Sequence, residues 1–372
     1  MKFSIKKEII LKHLLNVQSG LSSKNLIPVL NGILFELSME GLSLISSDNE
    51  LTIKSTISPV DIDDVIEVGS IVIPGKYVIE IIKKLDNEII EFEVHDSNKI
   101  KISTTGSVFN LNGIEASEYP KINMEETENY ITLDNKEFKE IINQTSFAVS
   151  LQETRPILTG INFILNNNML ECTATDSYRL ARTKVECTAH LKDDFNIVIP
   201  SKSLLDLVKL LNDTDQLTMY LTTNTVLFKF DTVIYQTRLL NGTYPNTSKL
   251  IPETYNHIID INLHQFFTAI DRASLLTSEK EKNIVNFLLE GKEIEISSNI
   301  PEIGRVEEKI VLDKMEEEQI RFSFSSKYML DALKAFKSET IRIYFIGENN
   351  PIIFKENDES EVLQLILPIK VY

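Results

Sequence analysis

At 372 residues, with 42% hydrophobic residues and a net charge of −17, the chain has apolar material for two or three cores. No apolar run reaches the ~20 residues of a membrane-spanning helix, and Lys2, Lys6 and Lys7 interrupt the N-terminus too early for a secretory signal. Two cysteines, Cys172 and Cys187, exclude a disulfide framework; a cytoplasmic protein is expected, and its acidic balance argues against nucleic acid unless cations gather on one surface.

Along the chain, the first predicted helix carries Ile10 and Leu14 four residues apart, on one face. Then come Pro28-Val29-Leu30-Asn31-Gly32-Ile33-Leu34-Phe35 and the alternating run Leu42-Ser43-Leu44-Ile45, which read as strands. An acidic loop, Asp61-Ile62-Asp63-Asp64, precedes the apolar strand Ile71-Val72-Ile73-Pro74. Directly after it stands Lys76-Tyr77-Val78-Ile79-Glu80-Ile81-Ile82-Lys83, and then further alternation at Ile100-Lys101-Ile102-Ser103.

The series then starts again. Phe138 and Ile142 repeat the helix spacing, Pro156-Ile157-Leu158-Thr159-Gly160-Ile161-Asn162-Phe163 repeats the Pro-x-Leu-x-Gly strand, and Asp176 follows as Asp48 did. The lysine octapeptide returns as Lys202-Ser203-Leu204-Leu205-Asp206-Leu207-Val208-Lys209. A third round brings Phe266 with Ile270 and then Lys327-Tyr328-Met329-Leu330-Asp331-Ala332-Leu333-Lys334, although its Pro-x-Leu-x-Gly strand has drifted. Equal spacing of three such octapeptides means internal duplication. Each copy reads as two helices against antiparallel strands, an α+β module. Turns are expected at Asn112-Gly113, Asn241-Gly242 and Glu290-Gly291. The boundaries fall in polar stretches after Tyr119-Pro120 and Tyr244-Pro245, giving modules 1–125, 126–253 and 254–372.

Lysines seven apart on a helix share a face, so Lys76 with Lys83, Lys202 with Lys209 and Lys327 with Lys334 each set two cations opposite an apolar stripe. Three such helices in register predict a basic surface suited to sequence-blind contact with phosphates. Walker loops, Gly-x-Gly-x-x-Gly, zinc motifs and a nucleophile elbow are all missing from the sequence, so a binding protein without cofactor or metal is expected. The second copy departs from the first in one telling place: after the matched aspartates, Ser177-Tyr178-Arg179-Leu180 replaces Asn49-Glu50-Leu51. The C-terminal apolar stretch Leu365 to Ile369 contains Pro368, which favours an extended tail over a neighbouring surface. Leu158, Leu180, Pro245 and Leu250 are expected to floor a peptide groove there, with Tyr178 and Arg179 at its edge.

Ala174-Thr175-Asp176-Ser177-Tyr178-Arg179-Leu180-Ala181 and the ending Leu365-Ile366-Leu367-Pro368-Ile369-Lys370-Val371-Tyr372 closely resemble the bacterial replicative sliding clamps, the β subunits of DNA polymerase III. The resemblance spans the whole chain. It implies a non-catalytic, head-to-tail homodimeric ring around duplex DNA, loaded by a clamp loader, that tethers polymerases through short peptides. DNA-facing positions fall on Lys24, Lys76, Gln152, Lys202 and Lys249. The partner-peptide pocket falls on Leu158, Thr175, Ser177, Tyr178, Arg179, Leu180, Pro245, Leu250, Leu365, Leu367, Pro368, Ile369 and Lys370. The dimer seam falls on Tyr77, Ile81, Phe109 and Leu111, with the adjacent Leu275 and Leu276 of the third module. Ser177 stands where many members have Gly, and Lys370 where many have Arg. Two other readings of the residues are an acidic scaffold that binds only proteins and a metal-dependent hydrolase using the Asp61 loop.

Overall fold

Among the described residues six α-helices form, two per module: α1 (Lys7–Val17), α2 (Gly75–Lys84), α3 (Asn135–Thr145), α4 (Ser201–Val208), α5 (Leu263–Ser274) and α6 (Ser326–Leu333). The computed structural model describes residues 1–21, 27–86, 88–191, 194–278 and 283–370. In α2 the apolar stripe Val78, Ile79 and Ile82 is buried while Lys76, Tyr77, Glu80 and Lys83 face out, as a 3.6-residue period requires. Asn262 caps α5 by accepting the Gln265 N–H at 2.9 Å, which satisfies one of the amides a helix start leaves unpaired. No helix among the described residues is long and apolar enough to cross a membrane.

The chain divides into two compact units that do not follow the repeat boundaries. The first gathers Met1–Lys136, Thr188–Lys192 and Asp206–Leu239; the second gathers Glu137–Cys187, Asp193–Leu205 and Leu240–Tyr372. The middle module thus contributes to both. Strand pairing is the reason. In the first unit, Val233–Arg238 of the middle module pairs antiparallel with Leu51–Ile57 of the first, making one nine-stranded sheet from two modules. In the second unit, Leu363–Ile366 of the last module pairs with Arg179–Glu186 of the middle one, inside an eight-stranded sheet.

A five-stranded sheet completes the first unit, in the order Asp64–Glu67, Lys2–Lys6, Ile89–His95, Lys99–Ser103, Val108–Asn112. Phe3 and Phe92 stack in its core with ring centroids 4.9 Å apart. In the second unit, a hairpin of two long strands, Ile284–Ile300 and Gly304–Ser325, stands between α5 and α6 where each other module has five shorter strands between its helices. Here the turn expected at Glu290-Gly291 is not a turn. The strand runs through it, with register shifts on either side of Gly291, whose φ of 63° is open to glycine at no steric cost.

The copies can be matched atom by atom. The Ser46 hydroxyl donates to the Val17 carbonyl at the end of α1, and Ser298 donates to Ala273 at the end of α5 at 2.6 Å. Across their hairpins, Ser46 faces Ile53 and Ser298 faces Val306; in the middle module Ala174 faces Ala181. Ile53, Ala181 and Val306 are therefore equivalent. By the same logic Phe109, Tyr235 and Gln364 are equivalent, each opposite Ile102, Phe228 or Phe354.

Candidate nucleic-acid and partner-binding surfaces

All six lysines of the octapeptides are exposed. They are of two kinds. Lys83 pairs with Glu80 at 3.4 Å, Lys209 with Asp206 at 2.7 Å and Lys334 with Asp331 at 3.9 Å. Lys76, Lys202 and Lys327 pair with no described carboxylate. The uniform seven-residue helical face does not hold throughout, because α4 and α6 stop one residue before Lys209 and Lys334. Those two lysines sit at helix ends, where a cation meets the negative pole of the helix. Lys249 is exposed in a short 3-10 turn, Ser248–Leu250, and Gln152 is exposed in a loop; Lys24 lies outside the described residues.

The expected groove residues lie within the second unit. Asp176 builds the turn: its Oδ1 accepts the N–H of Tyr178 at 2.9 Å and of Arg179 at 3.0 Å, while Ser177 takes φ 78°. Tyr178 is 60% exposed as a result. Leu250 and Leu367 are exposed too, Pro368 and Ile369 are half-buried, and Ser177, Pro245 and Lys370 face solvent. Leu367 N–H donates to the Tyr178 carbonyl at 3.0 Å and Ile369 N–H to Ser323 at 2.7 Å, which fixes the tail across the turn. Val371 and Tyr372 lie outside the described residues.

Three expectations for the groove are corrected. Leu365 is not part of a free tail: it sits in the sheet strand Leu363–Ile366, opposite Leu180, because its flanking residues find hydrogen-bond partners on both sides. Leu158 and Leu180 do not share a floor. Leu158 packs with Val198 and Tyr244, and Leu180 with Tyr344, Ile353, Leu363 and Leu365. Thr175 links to the first group through its N–H, which donates to the Tyr244 hydroxyl at 3.1 Å; burial pushes that phenol's pKa up. Arg179 offers no free charge at an edge. It is 7% exposed and bonded to Asp176 at 3.1 Å and Asp331 at 3.0 Å. Its guanidinium lies 4.3 Å from the Tyr328 ring centroid and 5.4 Å from that of Phe147, in cation–π range.

The first unit holds a near copy of this turn. Asp48 Oδ1 accepts the N–H of Glu50 and Leu51 at 3.1 and 2.8 Å, and Asn49 takes φ 76°. Arg238 N–H donates to the Glu50 carbonyl at 3.0 Å, as Leu367 does to Tyr178. The rim differs: Glu50 and Arg238 form a loose, exposed ion pair at 3.9 Å where the other copy has an aromatic and a leucine.

The two edges of the five-stranded sheet are unlike. Asp64–Glu67 ends its sheet with charged residues and a register shift, both of which discourage pairing. Val108–Asn112 ends the same sheet with no charge at all, and Val108 and Phe109 are exposed on it. Tyr77 is exposed and Ile81 and Leu111 are half-buried; in the other unit Leu275, at the end of α5, is 79% exposed beside the half-buried Leu276.

Models of the DNA polymerase III beta subunit match the chain in three parts: the N-terminal domain over residues 1–123, the central domain over 132–246 and the C-terminal domain over 248–370. The chain belongs to that family. The beta sliding clamp of Bacillus subtilis is 42% identical to it over 378 residues, with both sequences fully covered, and that of Staphylococcus aureus is 37% identical over 377. The crystal structure of the Bacillus subtilis DNA polymerase sliding clamp superposes with a TM-score of 0.96 at 40% identity, covering all of both chains. The beta chain of DNA polymerase III from Streptococcus pneumoniae gives 0.93 at 33%, again over both chains in full. The clamp family is a non-catalytic processivity factor of DNA polymerase III, and the three tandem α+β modules are its fold. Sequence reasoning did not single out Asp331, Tyr328 or Phe147 as neighbours of the groove, nor Val306 as an edge residue. Asp331 and Tyr328 were visible only as members of the lysine repeat.

Proposed function

We propose that two copies of this clamp-family chain close head to tail into a ring that encircles duplex DNA in the cytoplasm. The ring tethers the replicative polymerase, the clamp loader and other partners through the groove at Tyr178, Leu250 and Leu367. One observation carries the ring: both junctions inside the chain obey the same pairing rule. Tyr235 lies opposite Ile53, and its equivalent Gln364 lies opposite Ala181, the equivalent of Ile53. Applied once more, the rule puts Phe109 of one copy opposite Val306 of another, with Asn110 opposite Arg305. Among the described residues, both strands have an edge that pairs with no other strand of the chain. The end of α5 is tied to this edge through Ser298 and Ala273, which brings Leu275 and Leu276 into the same seam beside Phe109 and Leu111. Such a seam has an apolar centre and backbone pairing at its rim.

The unpaired Lys76, Lys202 and Lys327, with Lys249 and Gln152, support loose contact with phosphates, and the chain has no tryptophan for base stacking. The test is topological. After loading onto nicked circular plasmid, the protein is retained through gel filtration at moderate salt and runs off once the plasmid is linearised. Equal loss from circular and linear DNA refutes encirclement. Disulfide crosslinking of Asn110→Cys with Arg305→Cys, expected only between copies, tests the seam register separately.

A further inference from the structure

The three octapeptides place one acid in each lysine-bearing segment, and two of those acids do a single job. Glu80 and Asp206 hold the lysine three residues on, at 3.4 and 2.7 Å, and have no other described partner. Asp331 is different. Its Oδ1 stands 3.9 Å from Lys334, the longest of the three, while its Oδ2 accepts from Arg179 Nη1 at 3.0 Å. We propose that Asp331 is a positioning residue of the peptide groove, acting through Arg179; this rests on the reading of that groove as the partner site.

The argument follows the bonds. Arg179 Nε donates to Asp176 Oδ2 at 3.1 Å, and the other oxygen of Asp176 holds the N–H groups of Tyr178 and Arg179. One carboxylate thus serves the guanidinium and the turn together. The rings of Tyr328 and Phe147 cover the guanidinium, so it has little freedom to find another anion. With Asp331 neutralised, a nearly buried cation would be balanced by Asp176 alone, and the stronger pull on Asp176 would compete with the amides that fix Tyr178. The turn itself does not require this brace. Its copy at Asp48 closes with Leu51 in the place of Arg179 and no guanidinium beneath it. What the brace adds is a fixed presentation of the exposed Tyr178 ring.

The test uses the full-length dimer and a fluorescein-labelled peptide derived from the replicative polymerase, read by anisotropy. Asp331→Asn is expected to weaken the peptide at least fivefold, whereas Glu80→Gln and Asp206→Asn leave it within twofold. Asp331→Glu, which keeps the charge, is expected to restore most of the affinity; a packing role alone would not distinguish Asn from Glu in that order. In an Arg179→Met background the Asp331→Asn change is expected to add nothing. Parent-like binding by Asp331→Asn, or an undiminished loss in the Arg179→Met background, overturns the proposal. A parent chain that fails to bind the peptide overturns the groove and its brace together.

Discussion

Leu275→Ala gives the most direct measure of the seam. The side chain is 79% exposed in the single chain, so shortening it touches little that holds the chain folded. Removing three carbons at ~0.8 kcal/mol for each buried CH2, scaled by that exposure, amounts to ~2 kcal/mol at a seam that covers the leucine fully. A two-copy ring closes two seams in one association, so the loss counts twice. The sum, ~4 kcal/mol, raises the dimer dissociation constant nearly a thousandfold at ~1.4 kcal/mol per decade. Sedimentation velocity over a dilution series reads the constant, and thermal unfolding monitors the fold. The expected outcome is folded monomer at concentrations where the parent is dimeric. A shift below tenfold with unchanged unfolding would show that Leu275 faces water in the ring and that the seam is misplaced.

Charge reversal of Lys76, Lys202 and Lys327 together is expected to shorten retention on nicked circles and flatten its salt dependence. Reversal of Lys83, Lys209 and Lys334, whose charges are already paired, is expected to do less; equal effects would refute the distinction between the two classes. A pH effect is expected from His13, which is buried on α1 with Nδ1 2.8 Å from the Ser55 hydroxyl. Burial lowers its pKa and the neighbouring Lys12 lowers it further, against smaller opposing pulls from Asp231 and Asp61. The unfolded chain therefore binds this proton more readily than the folded one. Stability contributed here is complete above the unfolded value of ~6.5 and falls as pH drops below it. Melting temperatures between pH 7.5 and 5 should decline less in His13→Gln than in the parent, and parallel declines would remove His13 from the account.

The repeat was legible because duplication leaves the same residues at the same spacing: the three octapeptides gave α2, α4 and α6, and the pairs Ile10/Leu14, Phe138/Ile142 and Phe266/Ile270 gave the other three helices. Pro28–Asn31 and Pro156–Thr159, read as strand, instead form short 3-10 turns, because proline fits a turn's first residue and has no N–H for a ladder, and the strands begin at Gly32 and Gly160. What local pattern could not supply was pairing over distance. Arg179 and Asp331 are 152 residues apart, and nothing in either stretch shows that one carboxylate answers the other. Leu365 looked like part of a loose tail because Pro368 follows it, whereas the strand had already formed before the proline was reached. Glu290-Gly291 carried turn chemistry and became a bulge, since the long hairpin holds its register from both sides. The compact units cut through the middle module because sheets, unlike sequence repeats, are completed by whichever strand pairs at the edge.

The two aspartate turns bear on how many proteins one chain can hold. Asp48 and Asp176 fold the backbone alike, and each turn carbonyl receives an amide from the following module. Capacity is therefore not limited by the main chain, which offers the same foothold twice. It is limited by a few rim side chains, with Glu50 and Arg238 neutralising each other at one foothold and Tyr178 and Leu367 left unsatisfied at the other. On the proposed reading of the Tyr178 groove as the partner site, the duplicated scaffold keeps one docking place per copy because opposite charges close the rim at the other, and the number of partners that compete for a ring follows from that difference.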